Sequence, residues 1–249
     1  DGNRRILEYL VMKTYSIKPS DIKKQWLVVD NQNATELTEQ FGVQKSNIAL
    51  LPLTASTEIY PIDYTLQQMY KGTHAGGTEY FLSVVHENQS SIELLQAFSL
   101  FKKWQQSNMK LLLVPSNGLH RSFLEDKLST YKYRADTVIV PAGLTVHNWY
   151  QLLSSAYATV LFQNNAASHL MALEAAKAEI SIIAPHSFTT DKCMQDMVTS
   201  FMETTPSGIA EALLLVYKNE KLKAERTQNG LLFLQNTILP QVPLLFKEG

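Results

Sequence analysis

From residue 80 onward the apolar positions fall into two alternating rhythms, short continuous runs and longer stretches with a period near 3.6. Tyr80 to Val85, Lys110 to Val114, Thr137 to Val140, Thr159 to Phe162 and Ile180 to Ile183 have the length and composition of buried strands. Between them the spacing predicts helices over Ile92–Gln105, Leu119–Tyr131, His147–Tyr157 and His169–Lys177, with two more near Gly208–Tyr217 and Glu220–Leu234. In the first of these Phe98, Phe101 and Trp104 form an aromatic stripe that reads as core packing, and Lys102 with Lys103 reads as a solvated face. Five strands alternating with helices predict an α/β fold with a doubly wound, Rossmann-like parallel sheet, because each parallel crossover needs a helix to cover a face. In such sheets ligands bind outside the carboxyl ends of the strands, near the point where the winding reverses. The loops after Val85, Val114, Val140 and Phe162 are therefore where chemistry is expected.

Upstream, Arg5 to Lys13 reads as a helix with Ile6, Leu7, Leu10 and Val11 on one side. Trp26 to Val29 and Ile48 to Leu51 read as strands. Asn33 is a candidate N-cap between them, with Glu36 at the capping-box position, for a helix ending at Gly42. This is a βαβ unit. From Leu53 to Glu79 the periodicity fades while Pro61, Gly72, Gly76 and Gly77 accumulate, which reads as a linker with His74-Ala75-Gly76-Gly77 as a candidate hinge. The expected organisation is a first unit over 1–60, a linker over 61–79, a larger domain over 80–235 and a tail over 236–249.

Composition narrows the function. The 249 residues are 45% hydrophobic and 18% charged, which excludes wholesale disorder. Glycine is scarce, 10 residues or about 4% against a usual share of roughly 7%, and no GxGxxG or GxxxxGK[ST] can be drawn. Standard phosphate loops are excluded. A net charge of −1 offers nucleic acid no electrostatic footprint. A single cysteine, Cys193, cannot form an internal bridge, reads as a buried inert thiol, and together with the lack of zinc spacing suggests a reducing cytoplasm. No apolar run approaches the ~18 residues of a membrane span, and Glu8 interrupts the only apolar stretch at the start, so neither a transmembrane segment nor a signal peptide is expected. The chain begins at Asp1 without an initiator Met and reads as a piece of a longer protein. Ser155, Ser168 and the other serines lack nucleophile-elbow spacing, so hydrolase chemistry has no support.

The order of segments resembles a specific family. YFLSV, SIELLQAFSLFKKW, NMKLLLV, LSSAYATVLF and ALEAAKAEISIIAP, in that order, are similar to the nucleotide-sugar-binding half of the retaining group 1 glycosyltransferases, family 4. The preceding LVVDNQNATELTEQFGVQKSNIALLPL resembles the last βαβ unit of that family's N-terminal domain. The resemblance implies the C-terminal half of a two-domain GT-B fold plus the end of its N-terminal half. An intact member would carry roughly 100 to 150 further residues, about one more domain.

The resemblance also implies a site, and this sequence departs from it there. The family's first donor-domain loop uses an Arg and a Lys against the diphosphate; the corresponding loop here is Val85-His86-Glu87-Asn88-Gln89-Ser90, with His86 near the Arg place, no Lys, and an added acid. The family's E-G-F-G-x-P-x-L-E segment aligns with Ala166 to Glu174, leaving Glu174 as the acid that would hold the ribose hydroxyls. Ala166 replaces the other acid, Ala167 and His169 the glycines, and Met171 the proline. Val85, Pro115, Ala142 and Glu179 stand at other glycine places, and these losses are expected on ligand-facing loops. The implied donor-site residues are Glu174, His86, Asn88, Gln89, His169, Leu170 and Leu144, with Asn164 and Asn165 as further neutral donors. No catalytic residue, metal or cofactor is assigned; a nucleotide sugar is the implied substrate.

Two readings of Glu174 stay open, a ribose ligand or a solvated first-turn helix acid favoured by the macrodipole. His86 and His169 read as loop histidines, or as cations created when a bound diphosphate protonates them. Three functions follow: a divergent glycosyltransferase with weakened or lost transfer, a non-catalytic pseudo-glycosyltransferase that binds a protein partner or a missing N-terminal domain, or a sugar-nucleotide epimerase on the same frame.

Overall fold

In the computed structural model the described residues are 26–28, 48–50, 59–163, 166–188 and 192–235, with isolated positions between 35 and 55. The expectations for Arg5–Lys13, Asn33, Glu36, Asn164, Asn165, the Cys193 side chain and the tail over 236–249 lie outside them.

Two short strands, β1 (Trp26–Val28) and β2 (Ile48–Leu50), pair in parallel with Trp26 opposite Ile48. The remaining strands are β3 (Tyr80–Val85), β4 (Lys110–Pro115), β5 (Thr137–Ile139), β6 (Ala158–Val160), β7 (Ser181–Pro185) and β8 (Val198–Phe201). They form one six-stranded sheet in the order β5-β4-β3-β6-β7-β8, every pair parallel. The chain winds outward from β3 to β5, then returns to the other side of β3 to place β6. The reversal therefore lies between β3 and β6.

Eight helices are described: α1 (Tyr64–Ala75), α2 (Asn88–Gln105), α3 (Gly118–Ser129), α4 (Val146–Ser154), α5 (Ala166–Lys177), α6 (Lys192–Asp196), α7 (Pro206–Lys218) and α8 (Glu220–Phe233). Alternation along β3 distributes the core to both faces of the sheet. Tyr80 and Leu82 pack with Leu152, Leu153, Ala172 and Phe233 from α4, α5 and α8. Phe81 and Val85 pack with Phe98, Phe101, Leu124 and Leu213 from α2, α3 and α7. Phe81 meets Phe101 edge to face at a centroid distance of 5.3 Å, and burying each such ring contributes about 2–3 kcal/mol. Side-chain caps start the helices: Asn117 accepts from the His120 amide at 2.9 Å, Thr145 from Asn148 at 3.1 Å and Asn219 from Leu222 at 3.0 Å, each worth about 1 kcal/mol.

Four differences from the sequence reading have physical causes. Residues 64–75, expected within a linker, form α1, capped by Asp63 and ended by Gly76 in the left-handed region. Its buried residues are only Lys71 and Ala75, so no apolar stripe marked it. The edge strand β8 was unexpected because Thr199 and Ser200 break its apolar run. Lys102 is not solvated: it is buried, its ammonium donates to the carbonyls of Ser107 and Met109, and it pairs with Asp136 at 2.8 Å. Trp104, expected in the core beside Phe98 and Phe101, is exposed, being the last aromatic of a stripe that has rotated out of the interface by the end of α2.

Candidate functional site

The reversal between β3 and β6 opens a crevice at their carboxyl ends, where ligands of doubly wound sheets bind. His86 and Glu87 leave β3; Leu161, Phe162 and Gln163 leave β6. Below the crevice the two strands are tied by buried hydroxyls, Ser83 donating to the Val160 carbonyl at 2.9 Å and Thr159 to that of Leu82 at 3.3 Å. At its mouth the Gln163 amide donates to the Glu87 carboxylate at 2.7 Å, joining the two loops.

α2 begins at Asn88, four residues earlier than its apolar spacing predicts, so Asn88 and Gln89 are first-turn helix residues and both are exposed. Gln89 donates to Glu93 at 2.8 Å. Glu87 is the N-cap residue, yet its side chain makes no capping bond, and its carbonyl instead accepts from the Ser91 hydroxyl at 2.7 Å. After the neighbouring strand β4, Ser116 in the turn is 2.8 Å from Nδ1 of His120 in α3, and Arg121 donates to the Val140 carbonyl at 3.1 Å while pairing with Glu125 at 2.9 Å. The His86 pKa is lowered, first by desolvation and then by the adjacent His120. In the free protein His86 is thus biased toward the neutral imidazole, away from the cation that would offset a diphosphate.

His169 lies in the first turn of α5, half-buried, with Nε2 3.1 Å from the Phe188 carbonyl and its ring edge-on to Phe188 at 4.9 Å. A carbonyl only accepts, so Nε2 is the donor in this bond. Leu170 beside it is half-buried, as is Leu144 in the loop between β5 and α4, where Gly143 takes φ +79°.

Glu174 is the largest revision. Because α5 starts at Ala166, Glu174 sits in its third turn rather than its first, and it is 8% exposed. The solvated first-turn reading is overturned. Its Oε2 accepts from the Trp149 indole at 3.2 Å across the gap to α4. Burial pushes its pKa up to about 7, against the lowering effects of the Trp149 bond and the nearby Lys177. The sequence did not single out Trp149; it lies 25 positions away on another helix, and no local pattern links the two. Glu179 also departs from expectation: it precedes β7, at the amino end of the sheet, so its missing glycine is not on a ligand-facing loop. The others, at Val85, Pro115, Ala142, Ala167 and His169, cluster at the carboxyl edge.

Among the described residues no group of three or more His, Cys, Asp or Glu could hold a metal ion, and no helix is long and apolar enough to cross a membrane.

The single reversal, the six parallel strands and helices on both faces give this chain the fold of the C-terminal half of GT-B glycosyltransferases. The C-terminal domain of a glycosyl transferase group 1 family protein, LpcC from Francisella tularensis, superposes with a TM-score of 0.59 and 15% identity, covering 72% of this chain and 95% of that one. WaaG, a glycosyltransferase involved in lipopolysaccharide biosynthesis, gives 0.67 and 12% identity over 90% of this chain and 62% of its own. HepE from Anabaena, solved in complex with UDP and glucose, gives 0.71 and 9% identity over 92% of this chain and 64% of its own. The chain thus spans under two thirds of WaaG and HepE. No protein-family model matches the sequence, and no curated protein matches it.

Proposed function

We propose that this chain is the donor-side half of a group 1 glycosyltransferase-type protein in which nucleotide-sugar transfer is weakened or lost, the fold being retained to bind a protein partner or an acceptor-side domain. The reading includes a reducing, cytoplasmic setting and needs no metal. The observation that carries it is the burial of Glu174 under Trp149: the acid matched to the ribose-binding glutamate faces an indole and favours its protonated form. Supporting it, His169 is engaged by a backbone carbonyl and Glu87 by Gln163, at positions where the resemblance puts groups that approach phosphate.

One observation favours a second reading, a divergent enzyme that still binds nucleotide: Glu174 keeps its place along the helix, and a carboxyl with a pKa of about 7 is partly ionised near neutrality. Calorimetry with UDP, GDP and their sugars separates the two. The expected result is no heat from any of them, unchanged in Glu174→Ala. Micromolar binding that disappears in Glu174→Ala would replace the first reading with the second.

A further inference from the structure

We propose that Glu87, held in place by Gln163, is an internal anion that closes the crevice between β3 and β6 to phosphorylated ligands. The proposal rests on the reading that phosphate binding has been lost, and it names the residue responsible. Glu87 and Gln163 leave the two strands at which the winding of the sheet reverses, and their 2.7 Å hydrogen bond bridges the mouth of the crevice. Glu87 is also the N-cap residue of an 18-residue helix, and its side chain forms no bond to the helix amides. The carboxylate is held by the Gln163 amide across the crevice instead.

The electrostatic consequence follows from that placement. A helix N-terminus attracts negative charge, and a diphosphate entering a reversal crevice is ordinarily drawn to it. Here the chain supplies a fixed negative charge of its own beside the first turn of α2. The cationic groups nearby do not cancel it: Arg121 is paired with Glu125 and bonded to the Val140 carbonyl, and His86 is biased toward its neutral form. A doubly or triply negative phosphate ligand therefore meets repulsion at the N-terminus of α2, beside the reversal. A neutral polar ligand meets none, and Asn88 and Gln89 remain exposed there to hydrogen-bond it.

The test is an isotope-labelled sample of the full chain titrated with UDP while the amides of residues 88 to 91 are followed by NMR. Wild-type protein is expected to show no shift at millimolar UDP. Glu87→Gln keeps the reach to Gln163 and removes the charge; it is expected to shift those amides and to bind UDP at least about tenfold more tightly, the effect of deleting one like charge several ångströms away. Gln163→Ala keeps the charge and is expected to leave UDP excluded. A folded Glu87→Gln as silent as wild type overturns this proposal and leaves the lost-transfer reading standing. Gln163→Ala binding as well as Glu87→Gln overturns the assignment to charge. UDP binding by the wild type overturns both this proposal and the lost-transfer reading on which it rests.

Discussion

At the amino ends of the strands, Lys71 pairs with Glu79 at 2.7 Å and Lys102 with Asp136 at 2.8 Å, while Lys223 lies 3.8 Å over the Tyr157 ring, whose hydroxyl donates to Glu220 at 2.9 Å. At the carboxyl ends the pairs are Gln163 with Glu87 and Ser116 with His120, with Arg121 engaged by Glu125. One edge uses cations to fasten the connections that enter the strands. The other, where a donor-binding domain would point cations at phosphate, is furnished among the described residues with amides, hydroxyls, imidazoles and carboxylates, Arg121 being taken up by Glu125.

The sharpest way to break this comparison is to remove a cation from the fastened edge. Lys102→Ala leaves the Ser107 and Met109 carbonyls without their ammonium donor and Asp136 without its partner. Lys102 is buried while Asp136 is about a third exposed, so the cost falls at the low end of the about 3–5 kcal/mol for breaking a buried pair; a loss of about 3 kcal/mol is expected in urea denaturation, with the response to UDP unchanged. A loss below about 1 kcal/mol, the range of exposed pairs, would show that the amino edge is no more than a decorated surface.

Glu174 lies between the two edges and tests whether the acid that the resemblance matches to a ribose-holding glutamate is a core group. Its folded pKa, about 7, lies above its ordinary value, so the native state holds the proton more tightly than the unfolded chain. The resulting stability is fully present below the ordinary carboxylate range and is lost as pH rises through 7. Glu174→Gln does not titrate. Relative to wild type it should gain steadily from pH 5 to pH 8 and level off near about 3 kcal/mol, read as the difference between urea midpoints at the two pH values. Parallel curves at both pH values would mean that the carboxylate is solvated in solution.

How much of this was legible in the sequence depended on how local the signal was. The five apolar runs and the helices between them were readable because burial on both faces leaves a continuous run, and burial on one side leaves a 3.6 period. β8 was hidden because an edge strand with Thr199 and Ser200 is too short and too polar to stand out. α1 was hidden because a mostly exposed helix has no apolar stripe. The loops of the site could be placed, but the pairs within them could not. Trp149 with Glu174 and Gln163 with Glu87 join residues 25 and 76 positions apart, contacts that only the sheet order brings together.

Two positions sharpen the comparison through glycine, which is scarce here. Gly208, in the first turn of α7 on the carboxyl side of β8, is required by space: a Cβ there would stand 2.7 Å from the Glu203 carbonyl oxygen. Gly208→Ala must shift that backbone and should cost about 2 kcal/mol. A neutral result in thermal unfolding would show that the turn yields freely.

Glu179 is the converse case, at the amino edge. The Ile180 amide donates to the Ala175 carbonyl at 2.8 Å and the Glu179 amide to that of Ala176 at 3.1 Å, the bond pair of a Schellman cap. That cap places residue 179 in the left-handed region, and Glu179 adopts φ +60°. The helix end has kept a glycine geometry without the glycine. A side chain with a Cβ is strained there by about 1–2 kcal/mol, while a glycine adds unfolded-state entropy that offsets part of the gain. Glu179→Gly should therefore stabilise the fold by about 1 kcal/mol and leave UDP behaviour untouched. Were it to destabilise, the αL geometry would be supported by Glu179 itself. Were it to restore UDP binding, the division between a fastening edge and a ligand edge would fail, because residue 179 lies at the far end of the sheet from the crevice.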